Sequence, residues 1–280
     1  MEIFDLHNDF LIEYKEDKDL YLKHAFSDGL SLCNAIIFTT LLDRRHELLN
    51  LESYKNLVNE VSKSKLIFSF EDLGFVNTLD KLNEVIDFKP FSCGLTWNKC
   101  NLLASGAYHD GGLTTWGKHC VKLLQNNKIL IDTAHLNYDG FCDLVKISDM
   151  PLINTHTGFY ELNKHKRNIN KKQIQDIIDS NGIIGYTFVS DFIINQNVAT
   201  TKIIAKQILY FCDHYNIDNL CIGTDFNGTQ NLPTDLKSYK DFDILEYELR
   251  DLGFISEDIN KIFYKNAFNF ALKINKSNLI

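Results

Sequence analysis

No stretch of about 18 consecutive apolar residues occurs in the 280-residue sequence, so no membrane-spanning helix is expected. The start, Met1-Glu2-Ile3-Phe4-Asp5, lacks both a basic segment and an apolar one, so no signal peptide is expected either. There is no acidic block and no basic tail. The net charge of -8 is spread along the chain, which leaves no electrostatic footprint for nucleic acid or anionic lipid. The seven cysteines are odd in number and include no CxxC pair, and several sit inside apolar runs such as Leu220-Cys221-Ile222. Free buried thiols in a reducing cytoplasm are the expected arrangement. No Pro/Gly/Ser-rich linker and no low-complexity segment divides the chain, so one domain over residues 1–280 is expected.

The composition that remains, 45% hydrophobic and 24% charged, is that of a globular protein able to bury its own core. Eight short apolar runs recur, at residues 2–5, 31–39, 65–70, 91–96, 128–132, 151–154, 182–188 and 219–223. Amphipathic stretches lie between them, including 52–63, 78–86, 114–126, 170–180 and 199–215. Their apolar residues fall at helical spacing, as at Ile174, Ile177 and Ile178. Buried strands alternating with helices predict a parallel sheet covered by helices. Eight such units in 280 residues predict an α/β protein closed as a (β/α)8 TIM barrel. An open doubly wound sheet has the same alternation and is the competing architecture. Residues 241–253 and 257–273 read as two further helices packed on the outside, and 105–112 as a glycine-containing loop inserted after the fourth strand.

The polar residues concentrate at strand ends. These are Asp5-Leu6-His7-Asn8-Asp9, Phe70-Glu71-Asp72, Asp132-Thr133-Ala134-His135, Asn154-Thr155-His156-Thr157 and Thr224-Asp225-Phe226-Asn227-Gly228. The carboxyl ends of barrel strands converge on one mouth, where active sites of this architecture lie. His7 and Asp9 are two apart, so an extended strand points both the same way. Imidazoles and carboxylates suit zinc or a similar divalent ion. Five such ligands, His7, Asp9, Glu71, His135 and His156, are too many for one catalytic zinc but suit two ions bridged by a carboxylate. Taken singly, each has a plainer reading: a lone histidine is more often a hydrogen-bonded structural residue, and an Asp after a strand is usually a helix cap. Asp72 reads as a solvated loop residue, and Asn227-Gly228 as a turn. Most of His24, His46, His109, His119, His165 and His214 read as surface or structural.

At these positions the sequence resembles the membrane (renal) dipeptidase family of zinc peptidases, within the amidohydrolase-like barrels. The likeness runs from His7 to about Ala271 with the motifs in the family's order. Asp5-Leu6-His7-Asn8-Asp9 looks like the opening His-x-Asp motif, and Glu71 falls at the family's bridging glutamate. Leu95-Thr96-Trp97-Asn98-Lys99-Cys100-Asn101 looks like its Leu-Thr-His-Asn-x-x-Asn stretch, except at Trp97. Ile131 to His135 and Ile153 to Thr157 look like the two strands that end in metal-binding histidines. Arg167-Asn168 resembles the family's Arg-Asn, and Gly223 to Gly228 its Gly-x-Asp-Phe-Asp-Gly.

The resemblance implies a binuclear zinc dipeptidase, in which other divalent transition metals can replace zinc. It places one ion on His7 and Asp9 and the other on His135 and His156, with Glu71 bridging. It makes Asp225 the general acid/base, and Arg167, Trp97 and Asn98 the substrate-binding residues. It also implies a dipeptide substrate, including those with a C-terminal D-residue, and a homodimer as one assembly open to relatives. The sequence departs from the pattern at Trp97, where many members carry a substrate-binding histidine, at Asp72, where glycine is usual, and at Asn227, where aspartate is usual. Three other functions stay open. One is an amidohydrolase acting on N-acyl amino acids, lactones or cyclic amides. A second is an inactive metal-binding barrel. The third is a metal-dependent nuclease or phosphatase, disfavoured by Asp9 at the second motif position and by the acidic net charge.

Overall fold

The computed structural model describes residues 1–13, 24–38, 66–195 and 198–274. Eight strands are hydrogen-bonded in chain order and the ring is closed. They are β1 (Ile3–Asn8), β2 (Leu30–Phe38), β3 (Leu66–Glu71), β4 (Ser92–Gly94), β5 (Leu130–Asp132), β6 (Ile153–Thr157), β7 (Ile183–Tyr186) and β8 (Leu220–Ile222). Every pairing is parallel, and β8 returns to β1 through Asp5 and Ile222. Closure removes the open-sheet alternative. The helix expected over 52–63 and His46 lie outside the described residues.

The helices between strands start where a side chain can satisfy their first free N–H groups. Thr78 Oγ1 accepts from Lys81 N, Thr114 Oγ1 from Gly117 N and Asn137 Oδ1 from Gly140 N. Asn170 forms a reciprocal capping box with Gln173 ahead of helix Lys171–Asp179. Buried apolar faces then seat these helices on the barrel, as with Ile174 and Ile177. No helix among the described residues is long and apolar enough to cross a membrane. All seven cysteines are free, and Cys33, Cys93, Cys120 and Cys221 are buried.

Inside the ring, side chains fill layers. Phe4, Leu32, Ile67, Leu130, Ile153, Ile183 and Cys221 form the lowest, apolar layer. Above it lies a polar layer, in which Asn34 Nδ2 donates to Leu6 O at 3.0 Å and Ser69 Oγ to Asn34 Oδ1 at 2.9 Å. The tail differs from expectation. Helix Phe242–Asp251 packs on the outer core, but Ala267, Phe270 and Ala271 of helix Asn266–Ile274 join the lowest barrel layer. The last helix therefore covers the floor of the barrel, because its apolar face packs against the apolar layer at that end.

Asp5 ties the first and last strands together. Its Oδ1 accepts from His7 N at 3.2 Å and Thr224 N at 2.9 Å, and its Oδ2 from Thr224 Oγ1 and Tyr239 Oη, both at 2.6 Å. Tyr239→Phe removes one of these buried bonds and leaves its acceptor underpaired. We expect it to cost about 1–3 kcal/mol in urea unfolding, with an unchanged slope against denaturant.

Candidate metal centre

Two strands bend where they deliver His7 and His156. The register of β1 on β2 shifts between Asp5 and Asn8, and that of β6 on β7 shifts between Asn154 and Thr157. Such bulges re-aim side chains. In a regular strand Leu6 and His7, or Thr155 and His156, would face opposite sides. Here each pair turns inward, and both imidazoles reach the mouth above the polar layer. The barrel accommodates the second bulge because glycines stand opposite it in β7 and just after β8. A Cβ on Gly185 or Gly223 would stand 1.9 or 1.8 Å from Thr155 O.

The structure brings together all six residues singled out by the strand ends. His7 Nε2 lies 3.3 Å from Asp9 Oδ2. His135 Nε2 is 2.6 Å from Glu71 Oε1 and 3.1 Å from His156 Nε2. His156 Nε2 is 4.0 Å from both Glu71 Oε1 and Asp225 Oδ2. Ligand atoms of His7, Glu71 and His156 fall within 4.8 Å of one another, as do those of His7, Asp9 and Asp225. His135 and Asp225 reach their places from left-handed backbone, φ 65° and 62°. Non-glycine residues adopt that region at a cost and concentrate at functional sites when they do.

The donor set fits divalent cations. Asp9 Oδ1 is buried without a hydrogen-bond partner, a costly state for a polar atom, and His7 Nε2 has only the Asp9 carboxylate beside it, at 3.3 Å. The Nε2 atoms of His135 and His156 face each other across 3.1 Å, too close for two lone pairs without a shared proton or cation. Electrostatics agree. Burial works to lower the His7 pKa, but the adjoining Asp9 carboxylate, with Glu71 and Asp225 behind it, pushes it up to about 10. Burial, joined by the Arg167 charge, brings His135 down to about 4. Burial, then the His7 and Arg167 charges, holds His156 well below the usual imidazole range. Burial and the neighbouring Asp9 carboxylate raise Asp225 well above an ordinary carboxyl.

Beside the cluster opens a cavity of about 450 Å³ lined by Asp9, Glu71, Trp97, Asn98, Arg167 and Phe192, among others. Arg167 is 4% exposed, its Nη2 is 2.7 Å from His156 Nε2, and its Nε is unpartnered. Its guanidinium lies over Phe192, 5.4 Å from the ring centroid. Trp97 stands edge-on to Phe38 at 5.4 Å and lies 5.9 Å from the His135 ring. Asn98 Oδ1 pairs with His135 Nδ1 at 2.9 Å, so its amide NH2 is what it can offer a substrate. The loop 105–112 is tied to the site, since Ala107 N donates to His135 O at 2.8 Å.

Asp72 is not a solvated loop residue. It is 7% exposed, and its Oδ1 accepts from Gly74 N and Asn101 Nδ2, each at 2.8 Å. Its φ of 67° accounts for the ease with which glycine would occupy the position. His165 is half-buried against Phe192, with ring centroids 4.6 Å apart, and its Nδ1 accepts from Arg167 N. Thr155 and Gly228, to which sequence reasoning assigns no role in the site, touch the six-residue cluster, and Asp132 reaches it through Thr155. A threonine adjoining a histidine gives no sign of sharing its face until the bulge is seen.

Comparisons with known proteins bear on the family and the fold. Residues 10–277 match the membrane dipeptidase family, peptidase family M19. A Klebsiella pneumoniae protein from the pqqA 5′ region is 28% identical over 188 residues, 62% of this chain and 69% of that protein. An uncharacterized dipeptidase of Schizosaccharomyces pombe is 24% identical over 135 residues, 48% of this chain but 32% of that protein's length. A Rhodobacter sphaeroides metallo peptidase, liganded with a phosphinate mimic of the dipeptide L-Ala-D-Ala, superposes with a TM-score of 0.82 at 18% identity. That match covers 98% of this chain and 99% of the other. The probable dipeptidase PvdM of Pseudomonas aeruginosa superposes with a TM-score of 0.84 at 15% identity, covering 99% and 96%. At such identities the two structures speak for the fold. The family match over 10–277 carries the assignment: this chain belongs to the membrane dipeptidase family, peptidase family M19.

Proposed function

We propose that the chain is a binuclear metal-dependent dipeptidase that hydrolyses the peptide bond of dipeptides, with zinc the leading candidate for both ions. One observation carries this reading: two imidazoles, His135 and His156, converge with Glu71 beside the His7–Asp9 pair. His7 and Asp9 would hold one ion, His135 and His156 the other, and Glu71 would bridge them. When bound, such a pair acidifies a shared water and polarises the scissile carbonyl. Asp225 takes the proton of the attacking water and returns it to the leaving amine. Arg167, which lines the cavity, pairs with a substrate carboxylate or the developing oxyanion. Trp97, Phe38 and Phe192 wall the cavity and orient the apolar parts of the substrate. The dipeptide mimic held by the Rhodobacter sphaeroides relative supports a substrate of this size, including one with a C-terminal D-residue.

The test is a panel of L,L- and L,D-dipeptides, N-acyl amino acids and lactones, offered to zinc-, cobalt- and manganese-loaded protein. Turnover is expected on dipeptides. A loaded protein inert toward every dipeptide would overturn the substrate class. Trp97 favours one second reading, hydrolysis of N-acyl amino acids, because it lines the cavity with apolar surface where many relatives carry a histidine. Preference for that arm of the panel would select it.

Cation loading should expel protons. His7, raised to about 10, holds a proton at neutral pH before loading. A cation and that proton compete for the same imidazole, so apparent affinity should rise with pH between 6 and 9 by about tenfold per unit. Calorimetry in buffers of different ionisation enthalpy should report release of at least about one proton per chain. A pH-independent affinity would contradict the assignment of His7.

A further inference from the structure

We infer that Thr155 is a positioning residue whose single hydroxyl orients two metal-binding imidazoles from different strands. This rests on the proposed ligand roles of His7 and His156. Thr155 Oγ1 donates to Asp132 Oδ2 at 2.5 Å. The same oxygen lies 2.9 Å from His7 Nδ1 and 3.1 Å from His156 Nδ1. A hydroxyl has one proton and two lone pairs. With the proton committed to Asp132, the oxygen only accepts, so each imidazole must donate its Nδ1–H. Both Nε2 atoms are then left to face the site. The hydrogen bond at one ring nitrogen decides what the other can do.

The surroundings hold Thr155 to this task. Asp132 Oδ1 accepts from Thr155 N and Ala134 N, each at 3.0 Å, so the carboxylate grips β6 by backbone and side chain together. Thr155 and both histidines are at most 1% exposed, so no water competes for the hydroxyl. The two bulges bring the three groups to one point. Without the β1 bulge His7 would face out of the ring, and without the β6 bulge Thr155 and His156 would be on opposite faces. The ring contact between His7 and His156, centroids 3.8 Å apart, follows from sharing one acceptor. His135 is served separately by Asn98.

The experiment compares zinc-loaded wild type, Thr155→Val and Thr155→Ser. Nitrogen-15 NMR of the wild type should find His7 and His156 protonated at Nδ1 and metallated at Nε2, with both Nδ1–H signals protected from exchange. In Thr155→Val, which keeps the volume and loses the acceptor, those two signals should lose protection while any Nδ1–H of His135 keeps its own. Zinc affinity, measured by competition with a chromophoric chelator, should fall about 10- to 100-fold. Thr155→Ser should restore both readouts. A wild type in which either histidine is protonated at Nε2 would overturn the inference, even if the valine variant does not fold. So would a folded Thr155→Val with wild-type affinity and protected signals. A wild-type chain that binds zinc through these histidines yet cleaves no dipeptide would fail the proposed function and leave the orientation result standing.

Discussion

Asp225→Asn should lower kcat on a dipeptide by about 10²–10⁴-fold while both cations stay bound. The substitution is close to isosteric, and asparagine tolerates the left-handed backbone (φ 62°) at this position. The loop should therefore hold, since its anchors are main-chain: Asp225 N donates to His7 O at 3.0 Å, and Gly228 N to Asp225 O at 3.2 Å. What disappears is the ability to accept and release a proton. The raised pKa of Asp225, caused by burial and then by Asp9, moves this carboxyl toward neutrality, where a proton carrier works best. A carboxylate oxygen of Asp225 also lies within 4.8 Å of a His7 ring nitrogen and an Asp9 oxygen, so a ligand role is the rival interpretation. Steady-state kinetics with metal analysis on the same sample separates the two. Lost activity with two ions bound assigns proton transfer. Lost metal assigns ligation, and a fall of less than about tenfold excludes both roles.

Gly228→Ala should be nearly as damaging, although it adds a single methyl group. The new Cβ would stand 2.2 Å from Asp225 Oδ1 and 2.3 Å from Asp9 Oδ2. Both are well inside contact distance, so the two carboxylates must move. Displacing groups around a reacting centre by about 1 Å can cost about 10²-fold in rate. The ion beside His7 and Asp9 should be lost first, while the His135/His156 position keeps its ligands. Zinc content near one per chain, with kcat down about 10²-fold or more, is the expected result. Full occupancy with wild-type kcat would show that the loop yields and that the carboxylate positions matter little. Overpacking in a tight site costs typically about 1–3 kcal/mol, so the variant should remain folded for the measurement.

Much of this arrangement was legible in the sequence. Strand–helix alternation predicts a parallel sheet, and eight repeats predict a ring, but periodicity says nothing about whether the last strand finds the first. Contact between Asp5 and Ile222 decides that. The clustering of these imidazoles and carboxylates was legible because they sit at strand ends, which the barrel gathers on one side. His7 and Asp9 do lie together as their spacing requires. The machinery beneath them was hidden. Bulges at Leu6–His7 and Thr155–His156 break the two-residue alternation on which any strand reading rests. Asp72 was misread because a lone acidic residue in a loop is usually solvated, whereas this one satisfies Gly74 N and Asn101. The last helix was misplaced because amphipathicity tells which face is buried, not against what.

Anomalous diffraction at the zinc edge, from crystals of the zinc-loaded chain, tests the central claim most directly. Two peaks about 3.5–4 Å apart are expected, one against His7 and Asp9, the other against His135 and His156, with Glu71 between them. A single peak, or a pair bound away from these side chains, would contradict it.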